Sequence, residues 1–218
     1  MKENNIDIIS INDKEYPVSL KEIYSPPLNL YIRGNKKIFN EKSIAIVGCR
    51  DASKYGIKVA EEFAFNLSKK GFNIVSGLAR GIDSFAHMGA IKANKKTIAV
   101  LGNGLDTVYP KENIKLAEDI LNCGGAIISE FSLGTPPEKR NFPARNRIIS
   151  GISKGVLVVE AKEKSGTMIT VDFALEQGRD VFAIPGNINS INSAGTNEVI
   201  KQGAKLVTCW EEIVEEYK

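Results

Sequence analysis

The chain has 218 residues and 43% hydrophobic content, enough to bury a sizeable core in one large domain with a short appendage. Its net charge of +3 is too small to imply a nucleic-acid partner by itself, and no run approaches the roughly 18 apolar residues that cross a bilayer. The start, Met1-Lys2-Glu3-Asn4-Asn5, lacks the apolar stretch of a secretory signal, so the expected compartment is the cytoplasm.

The first 40 residues are broken at Tyr16-Pro17 and Ser25-Pro26-Pro27, and 28–32 followed by Arg33-Gly34-Asn35 reads as a strand and a turn. Residues 1–40 are expected to be an extension packed on a core of residues 41–218. From residue 43 onward, short β-branched runs at 43–47, 73–75, 97–101, 126–129, 156–159 and 181–184 alternate with amphipathic segments. Several runs are continuously apolar, as strands buried on both faces of a parallel sheet are. Between the first two, Val59, Phe63 and Leu67 recur at every fourth residue until Lys69-Lys70-Gly71 supplies a basic last turn and a stop, which makes one βαβ unit. Repetition of that unit predicts an α/β fold, a doubly wound and mostly parallel sheet with helices on both faces, whose ligand sits beyond the carboxyl ends of the strands. Near the end, Val199 and Ile200 fall on a helix that stops near Gly203, and Leu206 and Val207 begin a last strand. Residues 210–217 then carry acidic residues on one helical face and apolar ones on the other.

The loops after the strands are strongly patterned. The first strand runs into Gly48-Cys49-Arg50, where Gly48 lets the backbone approach a ligand and Arg50 offers a permanently charged fork. The second runs into Ser76-Gly77-Leu78-Ala79-Arg80-Gly81-Ile82-Asp83; Arg80 pairs with Asp83 or a sheet-end carbonyl, or else meets a ligand. The third meets Gly102-Asn103-Gly104 and then Tyr109-Pro110-Lys111, a GxG without the third glycine of the dinucleotide fingerprint, which counts against a nicotinamide dehydrogenase. Lys139-Arg140 precedes the stretch from Phe142 to Gly151, which holds two arginines and no carboxylate. The helical spacing of Ile148, Ile149 and Ile152 places Arg145 and Arg147 at a helix start, where free N–H groups also favour an anion, most simply phosphate. After the fifth strand, Ser165-Gly166-Thr167 opens a helix; its N–H groups and hydroxyls cradle a phosphate or sugar oxygen, or the turn is an ordinary N-cap.

Other chemistry is sparse. His87 is the only histidine and, beside Phe85, Ala86 and Met88, reads as a packed helix residue. Cys49, Cys123 and Cys209 show no CxxC spacing and are expected to be reduced and structural. No GxxxxGK[ST], GxSxG or HExxH motif is present, no acid–base constellation is evident, and neither metal nor cofactor is expected.

Taken together and in order, these loops resemble the DprA/Smf family of DNA-processing proteins. The hallmarks stand here as Ala45-Ile46-Val47-Gly48-Cys49-Arg50, Ser76 to Asp83, Phe142 to Gly151, Val158-Val159-Glu160-Ala161 with Ser165-Gly166-Thr167, and Pro185-Gly186 with Gly195-Thr196-Asn197 and Gly203-Ala204. The resemblance implies an extended Rossmann-like fold, a homodimer, and single-stranded DNA bound without turnover, with the RecA recombinase loaded onto that DNA during natural transformation and recombination. Cys49 stands where the family's Gly-Ser-Arg turn usually has serine, and the SAM-like and winged-helix domains that relatives carry are not recognised in these residues. The residue chemistry agrees, since single strands are held by a basic groove along the phosphates and a ring on which a base stacks. Arg50, Lys111, Lys139, Arg145 and Arg147 are the groove candidates, and Phe142 is the ring or else a core anchor of its loop. With Gly48, Ser76, Gly77, Arg80, Asn146, Ser165, Gly166 and Thr167 they form the expected DNA- or phosphate-binding set. The resemblance places a two-fold interface at Asn197, Ile200 and Leu206, the alternative being that Ile200 and Leu206 are intramolecular core. Two rival readings use the same cradle. One is a LOG-type nucleotide phosphoribohydrolase, whose signature resembles PGGxGTxxE and would put a catalytic glutamate where Thr170 stands. The other is a nucleotide-sensing module, which needs no stacking ring.

Overall fold

The computed structural model describes residues 6–218; residues 1–5 of the expected extension lie outside them. The six apolar runs become β3 (Ser43–Val47), β4 (Asn73–Ser76), β5 (Thr97–Val100), β6 (Ala126–Ser129), β7 (Gly155–Val158) and β8 (Asp180–Ala183), all parallel. Two strands from the N-terminal segment, β1 (Ile6–Ser10) and β2 (Asn29–Gly34), add antiparallel to the β6 edge, with Ile32 opposite Ile128 and Ile8 opposite Tyr31. The short β9 (Lys205–Leu206) closes the other side of a nine-stranded sheet ordered β1-β2-β6-β5-β4-β3-β7-β8-β9.

Alternation along the strands divides the helices between two faces. Ala45, Val47, Val156 and Val158 pack with Leu20 of α1 (Val18–Lys21), Ile148 and Ile149 of α5 (Asn141–Gly151), Val171 of α6 (Gly166–Glu176) and Val199 of α7 (Ala194–Lys201). Their neighbours Ile44, Ile46 and Leu157 point the other way, onto Phe63 and Leu67 of α2 (Lys54–Lys69), Ala86 of α3 (Ile82–Lys92) and Ile213 of α8 (Glu211–Glu215). On that second face, Leu116 and Ile120 of α4 (Ile114–Asn122) cover Ala99 and Ile127. Burial on both faces is why the strand runs are apolar throughout.

Two consequences position the site. The chain winds outward from β3 through β4, β5 and β6, then returns to lay β7 on the opposite side of β3, so the strand order reverses between β3 and β7 and leaves a crevice at their carboxyl ends. Second, α5 begins at Asn141, which puts Arg145 and Arg147 in its second turn and corrects the expectation that they open the helix. Pro143 fits the first turn, where the N–H it lacks would have no intrahelical partner.

Candidate nucleic-acid interface

A cleft of about 650 Å³ opens at the crevice between β3 and β7. The loop after β3 supplies Arg50, the approach to α5 supplies Lys139, and the loop after β7 supplies Lys162; all three are exposed and line it. Phe142, in the first turn of α5, lies half-buried in the wall, with the Arg50 guanidinium carbon 5.6 Å from its ring centroid. The Tyr109 ring is a second neighbour, 5.6 Å from Phe142 between centroids and tilted by 38°. Across the cleft, Ser165, Gly166 and Thr167 begin α6, where the first N–H groups of a helix have no intrahelical acceptor. Ser165 Oγ makes no capping bond and has no hydrogen-bond partner in the protein, so the ordinary N-cap does not account for it.

The Arg50 loop is pinned from below by Glu160, which is 3% exposed. The Glu160 carbonyl accepts the Cys49 N–H at 2.9 Å, and its carboxylate accepts both the Ser53 N–H at 2.9 Å and the Ser53 hydroxyl. Ser53 in turn caps α2 by accepting the Gly56 N–H at 3.0 Å. On the other side, Ile82 N–H donates to the Cys49 carbonyl at 3.1 Å, and Gly81, at φ +70°, lies so close that a Cβ there would fall 2.4 Å from the Arg50 carbonyl oxygen. Gly48 lines the cleft, yet its own backbone packs on Ile82 and the Glu160 carbonyl. Glu160 lies in the Val158-Val159-Glu160-Ala161 motif, where the local pattern assigns it no role; its clamp joins segments that only the fold brings together.

The floor is a buried charged layer. Arg145, 5% exposed, donates from Nη1 to the Gly77 carbonyl at 2.9 Å and to the Val100 carbonyl. Asp83 accepts the Gly77 N–H at 3.0 Å, and a Cβ on Gly77 would fall 2.5 Å from Arg145 Nη2 and 2.7 Å from Asp83 Oδ2, so both side chains close over that glycine. Burial pushes the Asp83 carboxyl up, against the pull of Arg145, and lowers Arg145 to about 10, so the guanidinium keeps its charge at neutral pH. Beneath, His87 Nδ1–H donates to Thr97 Oγ1 at 2.8 Å, because the Thr97 hydroxyl is itself spent on the Ile74 carbonyl at 2.7 Å. Burial, reinforced by Arg145, holds the His87 pKa down to about 3.

The structure thus separates the expected residues. Arg50, Lys139, Phe142, Asn146, Ser165, Gly166 and Thr167 share the cleft with Gly48, and Asn146 ties its two walls by donating to the Gly166 carbonyl at 3.1 Å. Arg145 forms floor and not rim. Ser76 is fully buried, its hydroxyl bonded to the Ile46 carbonyl at 2.7 Å. Arg80 pairs with Glu112, and not with Asp83, beside a small recess under Tyr109 and Phe142. Lys111 is exposed and follows Pro110 of that recess in sequence, but it lines neither the recess nor the cleft. Arg147 points elsewhere: it makes a two-pronged pair with Glu130, both bonds 2.6 Å, and lines a different groove with Tyr24 and Phe173. Lys162 and Tyr109 also line the cleft, although the sequence pattern assigns neither a binding role; both lie on loops that follow strands, Lys162 shortly after β7 and Tyr109 well along the longer loop after β5.

At the prospective interface, Asn197 holds the Gly186 backbone through both amide atoms, Ile200 is half-buried on α7, and Leu206 on β9 is 44% exposed. No described helix is long and apolar enough to cross a membrane.

Comparison with known proteins agrees with this architecture. Over 215 residues the chain is 47% identical to Protein Smf of Escherichia coli (strain K12), covering 99% of this chain and 58% of that protein. The X-ray structure of DNA processing protein A from Streptococcus pneumoniae superposes with a TM-score of 0.92 at 45% identity, covering 97% of this chain and 74% of the other. The structure of DNA processing protein A from Helicobacter pylori, described for its single-stranded DNA binding mode, superposes at 0.89 with 30% identity, covering 99% and 96%. A family model described as DNA recombination-mediator protein A matches residues 7–218, nearly the whole length on which the cleft is built, and the chain therefore belongs to that family, DprA/Smf.

Proposed function

We propose that this chain binds single-stranded DNA in the cleft, without turnover, and serves as a recombination mediator. The family is one of DNA-processing recombination mediators and not of enzymes. The observation that carries the reading is a flat ring, Phe142, set in one cleft with exposed Arg50, Lys139 and Lys162 and with the open start of α6. Phosphates of a single strand meet the cations and the helix start, while an unstacked base meets the ring; a duplex offers its phosphates but keeps its bases stacked and paired. The Helicobacter pylori relative, described by its single-stranded DNA binding, supports the assignment. With three exposed cations, log K should fall against log salt with a slope near −2, from roughly −0.7 per contact. Fluorescence anisotropy of a labelled oligo-dT against a hairpin duplex, over about 50 to 200 mM salt, tests this. Equal affinity for the two, or release of base from AMP by the same preparation, would sink it.

The finer reading is that two copies pair through α7 and the β9 edge, at Asn197, Ile200 and Leu206, joining two clefts on one strand and raising avidity. In that state the protein would load the RecA recombinase onto single strands in DNA uptake, natural transformation and recombination. The check is RecA filament growth on DNA already coated by single-strand-binding protein, with and without this chain; unchanged growth overturns the loading role.

A further inference from the structure

Beside the half-buried Phe142 the cleft holds a second ring, and this one is exposed. Tyr109 is 44% exposed, lines both the main cleft and the recess beneath it, and stands beside Phe142 at 5.6 Å. The loop that carries it is stiffly held. Buried Asn103 donates from its amide to the Gly104 and Thr107 carbonyls at 2.9 and 2.8 Å, and Asn113, just past Pro110, donates to the Leu78 carbonyl at 2.8 Å and the Ser84 hydroxyl at 3.0 Å. Phe142 is fixed on its own side, where Gly102 leaves no room for a Cβ: one would fall 2.9 Å from the ring. An exposed aromatic ring on a stiff loop loses little freedom when a flat partner stacks on it, which is how rings become anchors.

We propose that Tyr109 is a base-stacking residue in its own right, and that Tyr109 and Phe142 together receive two neighbouring bases of one strand. The inference rests on the single-stranded DNA reading of this cleft and deepens it. Two adjacent platforms with tilted planes fit a strand whose successive bases are splayed apart, a shape that a paired duplex does not take. The phosphates of the same nucleotides then lie toward Arg50 and Lys139, which share the wall with both rings.

Anisotropy titrations of labelled oligo-dT with Tyr109→Ala, Tyr109→Phe, Tyr109→Leu, Phe142→Ala and the Tyr109→Ala/Phe142→Ala double variant test the idea, each variant first checked for an unchanged circular-dichroism spectrum. Tyr109→Ala should weaken binding about 5- to 150-fold with the salt slope unchanged, and Tyr109→Phe should bind like the parent, because the flat face and not the hydroxyl is used. Tyr109→Leu, which keeps apolar bulk if the alanine variant fails to fold, should also be weak. In the Phe142→Ala background, removal of Tyr109 should weaken binding again. If it has no further effect there, Tyr109 only props Phe142 and the proposal is overturned; the same follows if Tyr109→Ala binds within twofold of the parent. Failure of the parent itself to prefer single strands would instead overturn the proposed function, so the two outcomes are distinguishable.

Discussion

Arg145 and Arg147 sit two positions apart in one basic motif, yet one lies under the cleft and the other pairs outside it. Their partners, the Val100 carbonyl and Glu130, come from other segments, so the local pattern contained the charges but not their destinations. Arg147→Met should therefore leave the salt slope of DNA binding unchanged while costing about 1–3 kcal/mol of stability in urea titrations, the usual worth of a charged hydrogen-bonded pair with little exposure. Arg50→Ala and Lys139→Ala should each flatten that slope by about one contact, whereas Phe142→Ala should weaken binding by about 1–3 kcal/mol with the slope intact. A folded Arg50→Ala protein with the parent slope would contradict the phosphate role. His87 was legible as a packed residue because its neighbours are apolar, but its acid sensitivity needed the structure. Its folded pKa of about 3 lies below the unfolded 6.5, so the unfolded chain binds the extra proton between those values and stability falls as pH drops from about 6.5 toward 3. His87→Leu should flatten that fall and leave DNA binding at neutral pH unaltered; an equally steep fall in the variant would assign it to other groups.

Among the elements, the parallel strands were readable because burial on both faces leaves continuous apolar runs, and α2 because its apolar positions recur at the helical period. Strand order was not readable, since pairing β3 with β7 depends on contacts between distant segments. β1 was missed outright: it is five residues long with a mostly exposed side, and short edge strands carry little pattern. The start of α5 was misplaced because Phe142-Pro143 reads as a boundary, although proline suits a first turn. The Ser53 cap of α2 offers an element-scale test, because the same hydroxyl bonds Glu160 and so fixes the Arg50 loop. Ser53→Ala should cost about 1 kcal/mol in thermal unfolding, the usual worth of a cap, and should weaken DNA binding although it removes no charge. Parent-like affinity in that variant would show that Arg50 needs no such support.

At the scale of the whole molecule, two-fold pairing predicts that Ile200→Glu and Leu206→Glu sediment as folded monomers and lose affinity mainly for long oligonucleotides. A parent already monomeric at tens of micromolar, or variants that unfold, would assign both residues to the protomer alone. The cleft itself has a wider consequence. Its walls are drawn from the ends of β3 and β7 and the starts of α5 and α6, segments that meet only when the sheet is complete. No stretch of chain carries the binding surface alone, so the unfolded chain has no cleft with which to hold DNA and the ligand acts on the folding equilibrium itself. At a hundred times its dissociation constant a strand would add about 2.7 kcal/mol to global stability, by mass action. A protein engaged on single strands would thus be a poorer substrate for proteases than the same protein set free, and its lifetime would follow the supply of exposed DNA.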